Sequence, residues 1–548
     1  MPILESEIDT NSEQYAESSK YMLDYIKKIR KVGDNQLKTE ENYRQRAEEK
    51  GKLLPRERLS LLLDPGAPFV EIGAIAGLGM YGDNNGDTAG GNLIAGIGYI
   101  SGRRCMVVVW NFAIKGGTIG GVTVKKMLRI QKIVFEQKLP FVSLHESGGG
   151  NLEGDGGMSD PWAPYMFIEG GMIYCQQAEM TARGIPQITV AHGNATAGGA
   201  YQVALSDYIV LVKEKTQLFL AGPPLLKAAT GEVASHEDLG GAEMHATISG
   251  TGEYLAEDDA DGIRIAREIV AQLPKDPKLE HQSDTFEEPL FSEEELIGIV
   301  PTDKKIPYRV HEIIARIADG SSFFEFNPDV DSHTICGHIT ICGKRCGVIG
   351  NNGPITPKGA LKASQFIQLC DLSFIPMLFL HNTTGFLVGL DVEQAGQVKH
   401  GAKMIQAVAN MRGPKISIIV GNSYGAGNYA MASAALKPDF VFSWPVARQC
   451  VMGGAQAATV MQIVTEAKFA KKGIEIDEKT KQSMEMKKKM VEMGLEMVSE
   501  SMFCSSRLMD DGIIDPRDTR KLISFLLDTC LESRERKVQE MSFGVPRF

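Results

Sequence analysis

The sequence has few of the features that mark secreted and membrane-spanning proteins. Its nine cysteines show no regular pairing, so they suit a reducing cytoplasm better than a disulfide framework. Apolar runs such as 209–212 and 416–420 have the length of strands, whereas a membrane span needs about 18 residues. The first seven residues have neither the basic nor the apolar part of a secretory signal and are too acidic for a transit peptide. We therefore expect a soluble cytoplasmic protein without a cleaved leader.

Positive charge and metal-binding motifs are also scarce. A formal net charge of -11 disfavours nucleic acids and anionic membranes as partners, because both require a positive surface. The chain contains no Gly-x-x-x-x-Gly-Lys-Ser/Thr phosphate loop and no His-Glu-x-x-His zinc motif. The densest group of candidate ligands is Cys336, Cys342 and Cys346 beside His333 and His338, but it lacks Cys-x-x-Cys and alternates like a strand. We expect no metal site.

Glycine, in contrast, is abundant, and the two halves of the chain repeat each other. The 58 glycines exceed the usual share of about 7% and cluster in short loops between apolar runs. Four segments of the first half return in the same order, displaced by about 254 residues at first and about 228 at the last. They are 62–71 with 317–325, 102–107 with 343–348, 140–145 with 376–381, and 196–201 with 424–429. Loop-length changes between two copies of one domain produce such a drift.

We predict an α/β protein with two similar domains in tandem. Short apolar runs alternate with helical segments such as 124–137 and 402–411, which is typical of this class. The second domain carries a charged helical insertion whose methionines fall on one helix face, and we expect that face to be used for packing or assembly. The predicted parts are a helical arm over 1–50, a first domain over 51–285, a polar linker over 274–289, a second domain over 290–548 and the insertion near 465–499.

Two turns of small residues connect a predicted strand to a predicted helix. One contains Gly198 and Gly199, the other Gly425, Ala426 and Gly427. Such turns leave backbone N–H groups pointing outward, where a developing negative oxygen can be held. A single turn of this kind is as often purely structural, but two at matching positions indicate two oxygens to hold. These five residues are the predicted catalytic groups.

A second pair of loops follows the preceding strand in each half. It contains Gly148 and Gly149 in the first half and Thr384 and Gly385 in the second. Because ligands of open α/β folds bind where strands end, we expect these loops to form the other wall of each pocket.

Side-chain nucleophiles and bases are poorly supported. His145 and His381 end equivalent strands, where a structural histidine is commoner than a catalytic one. The segment around Ser423 matches Gly-x-Ser-x-Gly, but no histidine follows it in the chain, and its repeat partner is Ala195. We therefore expect the chemistry to depend on backbone dipoles and a cofactor.

Two lysines stand at the start of a predicted helix. Lys125 and Lys126 follow the glycine-rich segment 116–121. Basic side chains and free N–H groups there suit a polyphosphate such as the tail of coenzyme A, although a solvated helix face accounts for the same residues nearly as well.

Motifs along almost the whole chain point to one family. They include Gly-Lys-Leu-Leu at 51–54, Arg-Glu-Arg at 56–58, Lys-Gly-Gly-Thr at 115–118, Ala-Arg-Gly-Ile-Pro-Gln at 182–187, Leu-Ala-Gly-Pro-Pro-Leu-Leu-Lys-Ala-Ala-Thr-Gly-Glu at 220–232, Glu-Asp-Leu-Gly-Gly-Ala at 237–242, Lys-His-Gly-Ala-Lys at 399–403, Val-Met-Gly-Gly at 451–454 and Phe-Gly-Val at 543–545. The sequence resembles the carboxyltransferase (beta) subunits of biotin-dependent acyl-CoA carboxylases, most closely the methylcrotonyl-CoA and geranyl-CoA branch.

This resemblance implies two crotonase-like domains, the first binding acyl-CoA and the second carboxybiotin. It implies that the amides of Gly198 and Gly199 stabilise a thioester enolate. The amides of Gly425, Ala426 and Gly427 would hold the ureido oxygen of biotin, which becomes the base once carbon dioxide has left.

The resemblance also implies an assembly. It implies a homo-hexamer in which each reaction site lies between the first domain of one subunit and the second domain of another. The chain has no Ala-Met-Lys-Met biotin attachment motif, so an alpha subunit with biotin carboxylase and biotin carrier domains is the expected partner.

Departures from the branch leave the acyl group open. Glu146 stands where the branch usually has Asp, and Ala455 replaces the usual Glu. Further differences fall at 120–121, 154–160, 173–175, 354–358 and 390–392.

Three alternative functions are also open. One is a CoA-thioester hydratase or isomerase that uses Glu146, Glu153 or Glu179 for proton transfer. The second is the carboxyltransferase component of a decarboxylase, which differs in its partner subunit. The third is a non-catalytic scaffold, against which the intact glycines of both turns argue.

Overall fold

The computed structural model describes residues 1–151, 163–279, 285–303, 306–471, 473, 476–540 and 543–544. Segment 154–160 and Glu153 lie outside these residues, as do parts of the predicted linker 274–289 and insertion 465–499. The chain divides into two compact units. The first unit comprises Arg30–Leu279, Ser506–Leu508 and Thr529–Phe548, and the second comprises Met1–Ile29, Glu280–Ser505 and Met509–Asp528.

The first unit is built on an eight-stranded mixed sheet. Its strands are β1 Val70–Glu71, β2 Leu93–Ile100, β3 Arg103–Trp110, β4 Phe141–Ser147, β5 Gln187–Thr196, β6 Tyr208–Val212, β7 Gln217–Phe219 and β8 Tyr254–Ala256. The order is β1-β2-β3-β4-β5-β6-β8, and β7 also pairs with β5. The β1–β2 and β2–β3 pairs are antiparallel, and all later pairs are parallel.

The second unit has a seven-stranded sheet with a corresponding order. Its strands are β9 Phe324–Glu325, β10 Thr334–Ile341, β11 Lys344–Asn351, β12 Met377–Thr383, β13 Lys415–Tyr424, β14 Phe440–Ser443 and β15 Arg448–Cys450. The order is β9-β10-β11-β12-β13-β14, with β15 also paired to β13. Here too the first two pairs are antiparallel and the others parallel.

The correspondence between the sheets extends to single residues. In the first sheet the β4–β5 register shifts between His145 and Ser147, after which Ser147 pairs with Ala195. In the second sheet the β12–β13 register shifts between His381 and Thr383, after which Thr383 pairs with Ser423. A bulge changes the direction of the side chains beyond it. Ser147 and Thr383 are therefore equivalent residues, each at the point where its strand leads into the following loop.

The central strands of both sheets are almost completely buried. Every residue of β4 is buried, as are six of the seven residues of β12, which is typical of parallel strands in α/β proteins. The helices are α1 Glu13–Asn42, α2 Arg44–Glu49, α3 Pro55–Leu62, α4 Gly121–Gln137, α5 Ala163–Ala182, α6 Gly198–Ala204, α7 Pro223–Thr230, α8 His236–Gly240, α9 Ala242–Met244, α10 Asp259–Gln272, α11 Val310–Ile317, α12 Pro357–Leu372, α13 Leu390–Gln394, α14 Gln397–Asn410, α15 Gly425–Ala430, α16 Gly454–Lys471, α17 Glu478–Ser499, α18 Ser501–Ser506 and α19 Thr519–Glu535.

The methionine face predicted in the insertion lies on α17. Met486, Met490, Met493 and Met497 are each at least 60% exposed, so this face is open in the isolated chain. None of the helices within the described ranges is long and apolar enough to cross a membrane.

Candidate active site

The first candidate site is the turn that joins β5 to α6. Ala197 adopts φ 52° and ψ -116° immediately before the helix, a conformation that is costly for a residue with a β-carbon. Its N–H donates to Phe219 O (3.1 Å), and its carbonyl accepts from Ala200 N (3.1 Å). As the first residues of the helix, Gly198 and Gly199 have no carbonyl partner within it, and no other acceptor for their amides occurs among the described residues. The turn therefore presents two adjacent backbone donors.

Side chains crowd both glycines. A β-carbon on Gly198 would overlap the Tyr174 hydroxyl, and one on Gly199 would lie 3.3 Å from His145 Nε2. The Tyr174 ring meets the half-exposed Tyr201 ring edge-on, with centroids 6.3 Å apart. Only glycine fits here without displacing a neighbour. Tyr174 belongs to the segment 173–175, which differs from the methylcrotonyl-CoA and geranyl-CoA branch. Its contact with Gly198 cannot be predicted from the local sequence.

The loop after β4 packs against this turn. Ser147 Oγ donates to Gly117 O (2.8 Å) and accepts from Gly149 N (3.2 Å). Gly148 N donates to Gly116 O (3.1 Å), and a β-carbon on Gly149 would lie 3.2 Å from Thr196 O. The amides of Gly148 and Gly149 are thus engaged within the protein. They are therefore not free donors, and their place in the wall of a ligand pocket stays a prediction.

The second candidate site repeats this construction. Gly425 has φ 57°, matching Ala197, and is followed by Ala426 and Gly427, for whose amides no acceptor occurs among the described residues. Thr383 Oγ1 accepts from Gly385 N (3.2 Å), as Ser147 Oγ accepts from Gly149 N. A β-carbon on Gly427 would lie 2.7 Å from Gly385 Cα, so turn and loop are in direct backbone contact.

Two isoleucines join the loops in the same way in both units. Ile119 N donates to Gly149 O (2.8 Å), and Ile355 N donates to Gly385 O (2.9 Å). The Ile119 and Ile355 carbonyls then accept from Asn151 N and Leu387 N, both at 2.9 Å. Neither isoleucine can be identified from the sequence, because a backbone hydrogen bond does not depend on residue type.

The histidines behind the turns are neutral. Burial lowers the pKa of His145 and of His381 to about 3. The His145 ring packs at a tilt of 55° against Trp110, with centroids 4.7 Å apart. His381 Nδ1 lies 2.9 Å from Ser423 Oγ, which also accepts from Asn428 Nδ2 (2.8 Å). Ser423 is fully buried, so this serine–histidine pair braces β13 and is not placed as an exposed nucleophile.

The two predicted polyphosphate ligands differ. Lys125 is exposed, whereas Lys126 is fully buried and its ammonium donates to Gly90 O (2.9 Å) and Leu93 O (2.6 Å). Burial lowers the pKa of Lys126 to about 8. The prediction that Lys126 faces a polyphosphate is therefore wrong, because its head group is already bound inside the unit.

The second unit also contains a cleft next to the loop after β12. It has a volume of about 260 Å³ and is lined by Tyr308, Asn382, Thr384, Asn422 and Arg448, among others. Thr384 is exposed at its edge.

The carboxylate of Glu146, the residue that corresponds to Asn382 in the first unit, is paired with Lys52 and Arg58 and is not a free base. Over the described part of the chain, no three His, Cys, Asp or Glu side chains gather as a metal site would require.

Comparisons with known proteins agree with this architecture. The model of the carboxyl transferase domain matches residues 46–543. The crystal structure of the geranyl-CoA carboxylase beta subunit of P. aeruginosa superposes with a TM-score of 0.91 at 51% identity, covering 100% of both chains. A probable biotin-dependent acyl-coenzyme A carboxylase beta2 subunit of Mycobacterium tuberculosis is 43% identical over 100% of both chains. A probable mitochondrial methylcrotonoyl-CoA carboxylase beta chain of Drosophila melanogaster is 41% identical over 100% of this chain and 95% of its own. The family predicted from the motifs is confirmed: the chain belongs to the carboxyl transferase domain family, together with the beta subunits of biotin-dependent acyl-CoA carboxylases.

Proposed function

We propose that this chain transfers a carboxyl group from carboxybiotin, carried by a partner subunit, to an acyl-CoA. The observation that carries the proposal is the pair of matching turns, each with two adjacent backbone donors and a loop packed against it. Carboxyl transfer to a thioester has two oxygens that gain negative charge, one on each reactant. Two equivalent donor pairs suit that requirement.

In the first unit, the amides of Gly198 and Gly199 would hold the thioester oxygen as it becomes an enolate. Removing a single donor of this kind typically costs about 3–4 kcal/mol of transition-state stabilisation. Neither Glu146 nor His145 is placed as the base of this step, because Glu146 is paired with Lys52 and Arg58 and burial lowers the pKa of His145 to about 3. Lys125, exposed on α4, is the one predicted polyphosphate ligand that remains available for the coenzyme A tail.

In the second unit, the amides of Ala426 and Gly427 and the loop of Thr384 and Gly385 would hold the biotin ureido oxygen, with Gly425 giving the turn its positive φ. The turn fits the ureido group of biotin for two reasons. It has no room for a side chain at Gly427, so the backbone amides stay accessible, and the neighbouring His381 and Ser423 are neutral, as the uncharged ureido ring requires. When bound, carboxybiotin would supply the carboxyl group and then the base that takes the acyl proton.

We further propose that the two units contain duplicated crotonase-like domains, with the sheet of the acyl-CoA domain inside the predicted range 51–285 and the sheet of the carboxybiotin domain inside the predicted range 290–548. The units depart from these predicted ranges at the C-terminus, because Thr529–Phe548 belongs to the first unit. The corresponding strand orders and the twin bulges support the duplication. By analogy with relatives named as beta subunits of biotin-dependent carboxylases, the partner would be an alpha subunit with biotin carboxylase and biotin carrier domains. The assembly would be a homo-hexamer with each site shared between two copies.

Variants of the two turns test this function. Gly198→Val and Ala426→Val should each abolish acyl-CoA carboxylation by the complex with the alpha subunit, because a branched side chain fills the donor position. His145→Ala should be milder, because the histidine does not touch the reacting atoms. Equal losses from His145→Ala and Gly198→Val would contradict the assignment of catalysis to backbone donors.

Mixing inactive variants tests the shared site. If each site uses the first domain of one copy and the second of another, co-assembled Gly198→Val and Ala426→Val chains regain activity at about a quarter of the sites, because random pairing unites two intact halves that often. No recovery, with mixed assemblies verified by native mass spectrometry, would place both halves of a site in one chain.

A further inference from the structure

The two candidate sites share their loops but differ in what lies behind them. Along β4 the side chains alternate, so Ser147 faces Gly117 and Gly149 while Glu146 points to the opposite face of the sheet. The residue that corresponds to Glu146 in β12 is Asn382, which lies between His381 and Thr383, where the register with β13 shifts. A carboxylate in the first unit is therefore replaced by an amide in the second.

Glu146 belongs to a buried network of charges. Its Oε1 accepts from Lys52 Nζ (2.6 Å) and its Oε2 from Arg58 Nη1 (2.8 Å). Arg58 is fully buried and its Nε donates to Asp259 (3.0 Å). Asp259 also accepts from Leu53 N and lies 2.9 Å from His192 Nδ1. Two cations thus balance two carboxylates, and the chain segment around α3 is tied to the end of β4.

The protonation of this network agrees with its geometry. Burial lowers the pKa of His192, which keeps the imidazole neutral. Burial alone would raise the pKa of Asp259, but its bonds with His192 and Arg58 hold that pKa below the usual range. Asp259 is therefore ionised at neutral pH, and the network stays balanced.

The network reaches the backbone of the candidate site. A β-carbon on Gly193 would lie 2.5 Å from the Glu146 carboxyl carbon, and one on Gly117 would overlap the Glu146 carbonyl oxygen. Gly117 is in turn the acceptor for Ser147 Oγ, which orients Gly149. Glu146 therefore stands where β4, β5 and the turn at Gly117 meet, one residue before the loop that packs on the turn of Gly198 and Gly199.

In the second unit the residue at the position of Glu146 is the uncharged Asn382. There Gly421 packs against Asn382 Oδ1 and Tyr308 Oη, each 2.5 Å from the position of a β-carbon, and the cleft of about 260 Å³ opens beside them. Since the loop forms with an amide at this position in one unit, the fold does not itself require a carboxylate there. Among the described residues, a carboxylate paired with two cations occupies this strand end in the unit proposed to act on the acyl-CoA and an amide occupies it in the other.

We infer that Glu146, held by Lys52 and Arg58, is a positioning residue for the enolate-stabilising turn of the first unit. This inference rests on the proposed function. Glu146 fixes the end of β4 and so holds the loop of Gly148 and Gly149 against the turn that follows β5. The amides of Gly198 and Gly199 in that turn then keep their positions as charge develops on the thioester oxygen. Glu146 does not touch the substrate. Its removal should therefore affect the chemical step and leave binding of the CoA ester intact.

The test compares Glu146→Gln with Glu312→Gln in the complex with the alpha subunit. Glu312 is a matched control, because its carboxylate also pairs with a buried arginine, Arg316 (2.8 Å), in the second unit. We expect Glu146→Gln to lower kcat and kcat/KM together by about 10- to 100-fold, the usual effect of a displacement near 1 Å, with unchanged Kd for geranyl-CoA and 3-methylcrotonyl-CoA in calorimetry. Glu312→Gln should lower the melting temperature and leave kcat per folded complex unchanged.

Two further variants protect the test against a failure to fold. Lys52→Met removes a partner at the edge of the network and should give the same selective loss, smaller in size. Glu146→Asp restores the charge with a shorter side chain and should recover part of the kcat lost in Glu146→Gln. If kcat of Glu146→Gln per folded complex equals that of Glu312→Gln, the positioning role is wrong. If the wild-type complex carboxylates no acyl-CoA at all, the proposed function fails instead.

Discussion

The contact between Tyr174 and Gly198 gives a sharp prediction about how the first turn tolerates a side chain. A β-carbon at position 198 would overlap the Tyr174 hydroxyl, well inside the separation of about 3.5 Å that non-bonded atoms prefer. Gly198→Ala must therefore displace either the tyrosine or the amide. We expect kcat/KM for acyl-CoA to fall by about 10- to 100-fold, because small displacements of a donor are costly.

Removing the hydroxyl should undo that loss. After the hydroxyl, the nearest atom to the new β-carbon is the ring carbon Cζ of Tyr174 at 3.5 Å, which is ordinary van der Waals contact. In the double variant Gly198→Ala/Tyr174→Phe, kcat/KM should return close to the value of Tyr174→Phe alone. Full rescue of a 10- to 100-fold loss corresponds to a coupling of about 1.4–2.7 kcal/mol, which lies within the range found for residues in direct contact.

The assay is a double-mutant cycle in kcat/KM, with melting temperatures measured in parallel. Tyr201→Phe is the control, because its half-exposed ring lies 6.3 Å from that of Tyr174 and removing its hydroxyl should not rescue Gly198→Ala. Additive effects in the Gly198 and Tyr174 cycle, or equal rescue by Tyr201→Phe, would refute this description of the turn.

Three other predictions concern steric fit, protonation and backbone strain. Gly427→Ala should abolish carboxylation, because its β-carbon would lie 2.7 Å from Gly385 Cα. Gly494→Ala is the control and should keep full kcat, because there is open space around Gly494. Equal kcat in the two variants would contradict the backbone contact. Burial raises the pKa of Asp510 to about 7, from about 3.8 in the unfolded chain. The stability that the protonated carboxyl contributes is therefore complete below about pH 4 and is lost as the pH rises through 7. The total loss is up to about 4 kcal/mol. Asp510→Asn should therefore raise the melting temperature more at pH 8 than at pH 5, and an equal shift at both would be inconsistent with a neutral buried carboxyl. Ala197→Gly should raise the melting temperature by relieving φ 52°, a strain of about 1–3 kcal/mol that exceeds the added freedom of the unfolded chain; a lower melting temperature would mean that the strain is absent.

Much of the architecture was accessible from the sequence because duplication leaves a trace in residue order. The echoes at 140–145 with 376–381 and at 196–201 with 424–429 mark the β4–β12 and β5–β13 equivalence, and the glycines locate both turns. The α/β class and the family followed from the same patterns, and both are confirmed.

Other features depend on contacts that no local pattern records. The prediction for Lys126 is wrong because helical phase decides which way its side chain points. Lys126 lies one turn from the buried Val122 and Ile130, on the inner face of α4. The network of Glu146, Lys52 and Arg58 joins residues up to 94 positions apart, and no local sequence pattern connects them. The first unit also includes the distant Glu532, whose carboxylate pairs with Arg104 at 2.8 Å.

The most direct test of the central claim is the incorporation of labelled bicarbonate into acyl-CoA. The chain would be combined with its biotin-carrying alpha subunit, ATP and ¹³C-bicarbonate, and offered acetyl-, propionyl-, 3-methylcrotonyl-, geranyl- and longer acyl-CoA esters, with products followed by mass spectrometry. We predict that at least one ester gains a labelled carboxyl group in the complete mixture and that none does when this chain is omitted or carries Gly198→Val. If every ester stays unlabelled while CoA esters still bind and the alpha subunit forms carboxybiotin, the chain is not a carboxyltransferase.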